Sequence, residues 1–579
     1  MAIRFVSGQS ATQYDGTFSN DVTLSGVQTD SFLILVITGG TGQEVTGITS
    51  NSGTASLSSW TRAAGPYAGG GSAEGEIWWA RVTSGGTVGV RPVGTVSDSG
   101  YSIHEFRNVS TGTPQIGSAQ NVYVSGESAE TGTISVTTGD LLFALYANES
   151  GDRTLTWGDG GSGSAYTQLE NVTSHMHKTA YKIAGSDAAF SAECSWTSAF
   201  DPILMLVAFD AAPATEIIKV VDPDMGSGYD YDSLSDWEAD LGGTTSGNLP
   251  ADNEIAVAKC RCTGGTADTT ATWISGWTTD STHYIKIWTD PAESYRHAGV
   301  WSDSKYRICP SGMDDVGIAV WDEGTVGTQI IGIQFQETSY NSYATEGRGG
   351  IFLRNGVSTV VSHNIFRQYG SAAGCYGIYM SANCVKPNYF YNNLFYDFDT
   401  VGGYGMGSKG DGPSASVYNR IYNNTFIHCT TGINDDGNRS ICYNNLFHGC
   451  TEDIYNISES GHSDYNASTN SSIVSGAYEG AHDRVSQTFT FKDHDGKDFH
   501  LSASDTGAKG YGRNLYNDAY LPFQTDIDGQ DRGGSGAVWD IGADECVAAA
   551  SSTRVPFRRM NVLLRLCLSV LTLFGRLFR

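Results

Sequence analysis

Positive charge is scarce in this sequence: 34 lysines and arginines face 62 aspartates and glutamates, for a net charge of −28. Binding phosphate backbones needs a basic face, so nucleic acid is excluded as a partner, and the acidity reads as solubility in an exposed or salty setting. Proline is also sparse, at 13 of 579 residues, and helix-forming Leu/Ala/Glu/Lys runs are missing until the extreme C-terminal stretch. The 11 cysteines have no metal-finger spacing. Their odd number leaves at least one thiol unpaired within the chain, which excludes a disulfide scaffold. No G-x-S-x-G, H-E-x-x-H, Walker or Rossmann pattern occurs. The pair of imidazoles in "HMH" (175–177) has no visible third ligand, so no metal site is expected from it.

What is abundant points to strands. Glycine reaches 72 residues, and tyrosine, phenylalanine and tryptophan contribute 30, 23 and 12. That mixture favours many short strands joined by tight turns, and the chain is long enough for more than one domain. Residues 1–212 read as a β-sandwich: "SFLILVITGG", "GEIWWARVTS", "GDLLFALYAN" and "PILMLVAFDA" are strand-length apolar runs bounded by turn formers. A weak repeat, Trp60 followed by Arg81 and Trp157 followed by Lys182, predicts a duplicated half-sandwich. This unit resembles the jelly-roll-like modules of bacterial surface proteins and phage tail proteins. Residues 213–221 read as a linker, 222–547 as a second β domain and 548–579 as a tail.

In the second domain one phrase recurs: "SHNIF", "YNNLF", "YNNTF" and "YNNLF", ending in Phe366, Phe395, Phe426 and Phe447. Gly-Ile or a near equivalent recurs beside it, at Gly317-Ile318, Gly350-Ile351, Gly377-Ile378, Gly405-Met406 and Gly432-Ile433. A period of roughly 20–33 residues is that of stacked coils, in which equivalent residues lie directly above one another. Asn364, Asn393, Asn424 and Asn445 are therefore expected to form a ladder that satisfies turn backbone, with the phenylalanines stacked inside.

Two segments carry a family resemblance. Tyr231, Ser233, Leu234, Trp237 and Glu238 stand where right-handed parallel β-helix proteins place an entry helix. "DFHL" and "DIDGQDR…WDIGADE", with Asp498, Phe499, His500, Leu501, Asp526, Asp528, Gly529, Arg532, Asp540, Ile541, Gly542 and Glu545, are similar to the terminal segment of bacterial and phage β-helix proteins. The resemblances imply an N-terminal jelly-roll-like sandwich and a right-handed parallel β-helix, and with the C-terminal amphipathic helix read from the tail's spacing below the expected fold is all-β.

Candidate chemistry is limited to exposed acids and bases beside the coils. Lys409 and Asp411 in "GSKGDG", and Asp435 and Asp436 in "NDDGN", are the candidate catalytic residues, since a carboxylate pair about 5–9 Å apart suits glycoside hydrolysis. Against them stands the ordinary use of Gly-flanked Asp pairs as turn formers. His428 and His448 lie near the Asn phrases. Asp526 and Asp528 are the candidate calcium ligands, although "DIDGQD" lacks the Gly and distal Glu of an EF-hand loop, and no other cofactor is expected. Aromatic side chains in loops suit sugar rings, whose C–H faces pack on π surfaces.

The tail "RVPFRRMNVLLRLCLSVLTLFGRLFR" reverses the charge of the body, with six arginines and no acid. Arg558, Asn561, Arg565, Ser569, Thr572, Arg576 and Arg579 follow helical spacing and form one polar stripe. Leu566, Leu573 and Phe574 belong to the wide apolar remainder, which has to be covered. Self-association, including around a trimer axis, or docking into a partner protein is expected ahead of a membrane interface; the arginines interrupt any spanning run. The start, "MAIRFVSGQSATQYDG", has no apolar leader segment, yet the composition looks extracellular. A virion surface protein fits both. The expected function is that of a tailspike, fibre or decoration component that contacts glycans and is assembled with other virion proteins through the tail. The alternatives are an extracellular β-helix polysaccharide lyase or glycoside hydrolase, and a purely structural lattice protein.

Overall fold

The computed structural model describes residues 3–546 apart from 15–17, 41, 69–72, 96–98, 149–153, 159–165, 170–176, 186–187, 243–246, 311–315, 322–325, 338–348, 355–356, 371–372, 382–385, 409–417, 437–439, 458–461 and 476–478. The chain is all-β and forms two compact units. The first comprises residues 1–218 with 241–257 and 276–285, and the second 219–240, 258–275 and 286–579.

The first unit is the expected antiparallel β-sandwich, built from two similar halves. A six-stranded antiparallel sheet orders Arg4–Tyr14, Gly100–Arg107, Phe32–Gly40 and Ala73–Ser84 side by side. A five-stranded antiparallel sheet repeats that order with Gln115–Tyr123, Ile203–Phe209, Leu141–Ala147 and His177–Ile183. The two sheets share one core, where Phe32, Ile34 and Val36 pack with Phe143, Leu145 and Met205. Each sheet's other face is covered as well. Leu33, Leu35 and Ile37 lie against Val22, Leu24 and Val88 of a three-stranded sheet, and Leu142, Ala144 and Leu206 lie against Ile134, Trp157 and Trp196. Burial on both faces explains why "FLILVI", "LLFALYA" and "ILMLVAF" show no polar alternation.

The stretch read as a linker contains a strand, Thr215–Val221, the first of a nine-stranded sheet. The entry helix is Leu234–Leu241. Ser233 caps it, accepting from the Asp236 amide at 3.1 Å and donating to the Asp236 carboxylate at 2.6 Å. Leu234 and Trp237 are fully buried beneath it.

The second unit is a parallel β-helix. Three stacks, of nine, eight and seven strands, pair parallel from coil to coil. The phenylalanines of the repeated phrase, preceded by Phe335, stack inside with centroids 4.7–5.1 Å apart and planes within 5–9°. The Gly of each Gly-Ile pair is dictated by that stack. A Cβ on Gly350, Gly377, Gly405 or Gly432 would come within 2.6–2.8 Å of Phe366, Phe395, Phe426 or Phe447.

The paired amides have two separate tasks. The first residue of each two-residue corner has positive φ: 58° at His363, 54° at Asn392, 50° at Asn423 and 57° at Asn444. Asparagine tolerates that left-handed geometry better than most residues. The second residue forms the ladder. The amides of Asn364, Asn393, Asn424 and Asn445 donate to the side-chain oxygens of Asn393, Asn424, Asn445 and Asn466 at 2.9–3.0 Å. Asn466 in turn donates to Asp483 at 2.8 Å.

The segment after the last coil wraps back over the helix. It uses the corner asparagines as hooks: Asn392 donates to Thr525 O, Asn423 to Asp540 O and Gly542 O, and Asn444 to Arg513 O. Arg532, fully buried, donates to Asn392 Oδ1, Gly542 O, Ala543 O and Glu545. Phe499, Ile527 and Ile541 cover the outward residues of the seven-stranded sheet, Leu394, Ile427 and Leu446. Leu515, Phe523 and Trp539 cover Tyr389, Tyr391 and Tyr422 of the nine-stranded sheet.

Candidate functional site

That wrapping segment packs on two of the three outward faces, and the outward face of the eight-stranded sheet is the remaining one. Its strands include Thr272–Ile274, Ile318–Val320, Ile351–Leu353, Tyr376–Met380, Tyr404–Ser408, Thr431–Asp435 and Glu452–Tyr455. Strand alternation turns Ile318, Ile351, Ile378, Met406 and Ile433 inward, all essentially unexposed. The alternate register, Ala319, Phe352, Tyr379, Gly407 and Asn434, therefore points outward.

This face carries a continuous line of rings. Trp273 and Trp321 lie 5.1 Å apart, Trp321 and Phe352 5.7 Å, Phe352 and Tyr379 5.8 Å, Tyr379 and Tyr376 4.8 Å, and Tyr376 and Tyr404 4.6 Å. The Arg354 guanidinium sits 3.9 Å over Trp321. Phe352 and Tyr379 are shielded, so the reachable rings are Trp273, Trp321, Tyr376 and Tyr404, with Tyr455 further along the stack. Gly407 makes the line possible, since a Cβ there would press to 2.5 Å of the Tyr376 ring. Such a strip offers flat apolar surface to a ligand with C–H faces and a cation to its polar edge.

The acids at the lower end of this face do not form a pair. Asp435 has the inward register of Ile433 and is 1% exposed. Its carboxylate accepts from Ser408 Oγ at 3.2 Å and from the Ser440 amide at 2.9 Å, which closes the corner of the coil. Asp436 alone is exposed, within 3.4 Å of Asn456 Nδ2. Lys409 and Asp411 lie outside the described residues, as do Arg558, Arg565, Leu566, Leu573, Phe574 and Arg576 of the tail.

Asp526 and Asp528 are occupied by their own loop. Asp526, unexposed, accepts from the amides of Asp528, Gln530 and Glu545. Burial, reinforced by Asp528, pushes the Asp526 carboxyl up to about 8. Asp528 accepts Gln530 Nε2 on both oxygens and lies with His500 and Asp544, their ligand atoms within 4.8 Å of one another. The cavity beside His500 and Asp544 measures only about 10 Å³, room for one water at most.

Two further features were not legible as sites. A buried network in the first unit joins His177 to Thr38 and Ser102, and His104 to Ser102 and Thr179, at 2.9–3.2 Å. Burial, with repulsion from His177, holds His104 down to about 3, and burial holds His177 to about 4. Glu337, at the end of an interior strand, is buried with Oε1 unbonded, and burial raises its carboxyl to about 8. Counting strand parity forward from Phe335 would have revealed it.

No protein family and no curated protein matches this sequence. Among solved structures, the catalytic unit of a thermostable GH87 alpha-1,3-glucanase from Streptomyces thermodiastaticus strain HF3-3 aligns over 63% of this chain and 80% of its own, with 11% identity and a TM-score of 0.25. A GH87 alpha-1,3-glucanase catalytic domain in complex with nigerose aligns over 63% and 68%, with 13% identity and a TM-score of 0.20. The Agl-KA catalytic domain aligns over 62% and 87%, with 9% identity and a TM-score of 0.15. Likenesses this distant carry no functional argument, and the description of the second unit as a parallel β-helix rests on its own strand register.

Proposed function

We propose that this chain is a virion surface protein that binds glycans along the outward face of the eight-stranded sheet. The observation that carries the reading is the line of rings from Trp273 to Tyr404, on the face left open by the wrapping segment. Sugar rings pack their C–H faces on aromatic surfaces, and successive coils repeat such surfaces at strand spacing, about 4.8 Å. Binding rather than cleavage is assigned here because, among the described residues, Asp435 is an interior acceptor and does not pair with Asp436 at the surface.

The virion setting is supported by the thiols. All nine described cysteines are free, seven of them buried, and Cys429 lies beside Cys450 without a disulfide between them. Folding in a reducing compartment accounts for this, and a particle assembled inside a cell and then released reconciles it with an acidic, aromatic-rich surface. The tail, residues 554–579, is the proposed assembly handle.

The test exposes the full chain to a panel of bacterial surface polysaccharides and follows tryptophan fluorescence and newly formed reducing ends. Saturable fluorescence change without new ends is the expected result. Saturable change accompanied by depolymerisation would make the chain an enzyme, and no response across the panel would overturn glycan binding. Separately, deleting 554–579 should leave both units folded and release the protein from its particle, read by mass spectrometry of purified particles.

A further inference from the structure

At a different edge of the β-helix three histidines converge. His428 follows the strand Thr425–Ile427, His448 ends the strand Leu446–His448 on the next coil, and His494 lies in the hairpin Phe491–Leu501. Their ring centroids are 5.7, 5.2 and 5.2 Å apart, and one ring nitrogen from each lies within 4.8 Å of the others. Gly449, at φ 65°, makes this approach possible, because a Cβ there would fall 2.5 Å from the His428 ring.

Packing alone does not explain the nitrogens. His448 Nδ1 and His494 Nε2 are buried and have no hydrogen-bond partner. Buried polar atoms are rarely left in that condition, and a bound ion is one of the ordinary reasons for it. His494 Nδ1 lies 3.4 Å from Asp495 Oδ1, a contact that favours the tautomer with the proton on Nδ1. Asp397 Oδ1 stands 3.9 Å from His428 Nδ1 and is itself held by Lys497 Nζ at 2.8 Å.

We propose that His428, His448 and His494 form a binding site for one divalent transition-metal ion of the zinc class. Three imidazole nitrogens select such ions over magnesium and calcium, which prefer oxygen. Zinc–nitrogen bonds of about 2.0–2.1 Å require the nitrogens to close to about 3.4 Å, a movement of roughly an ångström at most. The side chains of His428 and His494 are each 36% exposed, which gives the ion an entry path and leaves a position for water. The ion would pin the hairpin to two successive coils.

The test uses the full chain, freed of metal with a chelator and desalted, and titrated with ZnCl2 by calorimetry and CoCl2 by visible absorption. The proposal expects one zinc per chain, a tetrahedral cobalt spectrum, a rise in thermal midpoint with zinc, and no response to Mg2+ or Ca2+. His494→Ala and His428→Ala, which alter half-exposed residues, should each weaken binding by about a hundredfold or more. Absence of zinc binding by the wild-type chain would overturn the proposal. So would binding that both variants retain, since it would then belong to other residues.

Discussion

Replacing Asn424 with Ala tests the ladder where its bonds are most numerous. Asn424 Oδ1 accepts the Asn393 amide at 3.0 Å and Asn393 Nδ2 at 2.9 Å, while its Nδ2 donates to Phe390 O, Tyr422 O and Asn445 Oδ1. Some partners retain a second bond: Asn393 Nδ2 still reaches Val361 O at 2.9 Å, and Tyr422 O still accepts the Asn392 amide. The Asn393 amide has no such reserve in a fully buried residue, and Phe390 O loses a donor. Each orphaned buried group costs about 1–3 kcal/mol, so the substitution should cost about 2–4 kcal/mol. The assay is denaturant unfolding followed by intrinsic fluorescence, on Asn424→Ala, Asn393→Ala and the double variant. Because the two side chains share a hydrogen bond, the double variant should cost less than the sum by about 1 kcal/mol. A cost of Asn424→Ala below about 0.5 kcal/mol, with strict additivity, would refute the ladder as a source of stability.

The remaining predictions concern single positions. Glu337 keeps its proton in the folded chain up to about pH 8, against an ordinary value of 4.5, so stability present below pH 4.5 is lost as pH rises towards 8. Glu337→Gln should remove that loss, roughly 3–5 kcal/mol by pH 8, and thermal midpoints from pH 5 to 8 would read it. His104 and His177, held near 3 and 4, contribute stability present above about pH 6.5 and lost as pH falls below it. At pH 5 each should cost the first unit roughly 2 kcal/mol, and His104→Gln should flatten its midpoint-against-pH profile. Asp435→Ala should cost about 1–3 kcal/mol through the lost Ser408 and Ser440 bonds, whereas Asp436→Ala should stay within about 0.5 kcal/mol; equal effects would contradict their opposite orientations.

The sequence spoke clearly where one coil repeats another. Phe366, Phe395, Phe426 and Phe447 announced an interior stack, and Asn364, Asn393, Asn424 and Asn445 the ladder beside it. The first asparagine of each pair was harder to read. Its partners, such as Gly542 for Asn423 and Arg513 for Asn444, lie 119 and 69 residues downstream, where no local pattern reaches. Asp435 was misleading for a different reason. A Gly-flanked acid pair resembles a loop tip, yet alternation from buried Ile433 makes Asp435 an interior residue. The sandwich region carried a signal of its own: "LLFALYA" is apolar at every position, as expected for a strand covered on both faces, and its sheet packs on the other large sheet by one face and on smaller sheets by the other. The ring line from Trp273 to Tyr404 was illegible because its members come from different coils and mixed positions within each strand.

The most direct measurement is the affinity of the full chain for a responding polysaccharide, compared among wild type, Trp273→Ala, Trp321→Ala and Tyr520→Ala. Tyr520 is an exposed aromatic, 66% accessible, that sits over Arg420 and outside the ring line. If the outward face of the eight-stranded sheet holds the glycan, each tryptophan variant should bind about tenfold more weakly, the equivalent of about 1.4 kcal/mol, while Tyr520→Ala binds as wild type does. Unchanged affinity in both tryptophan variants, with the fold intact by circular dichroism, would contradict the account.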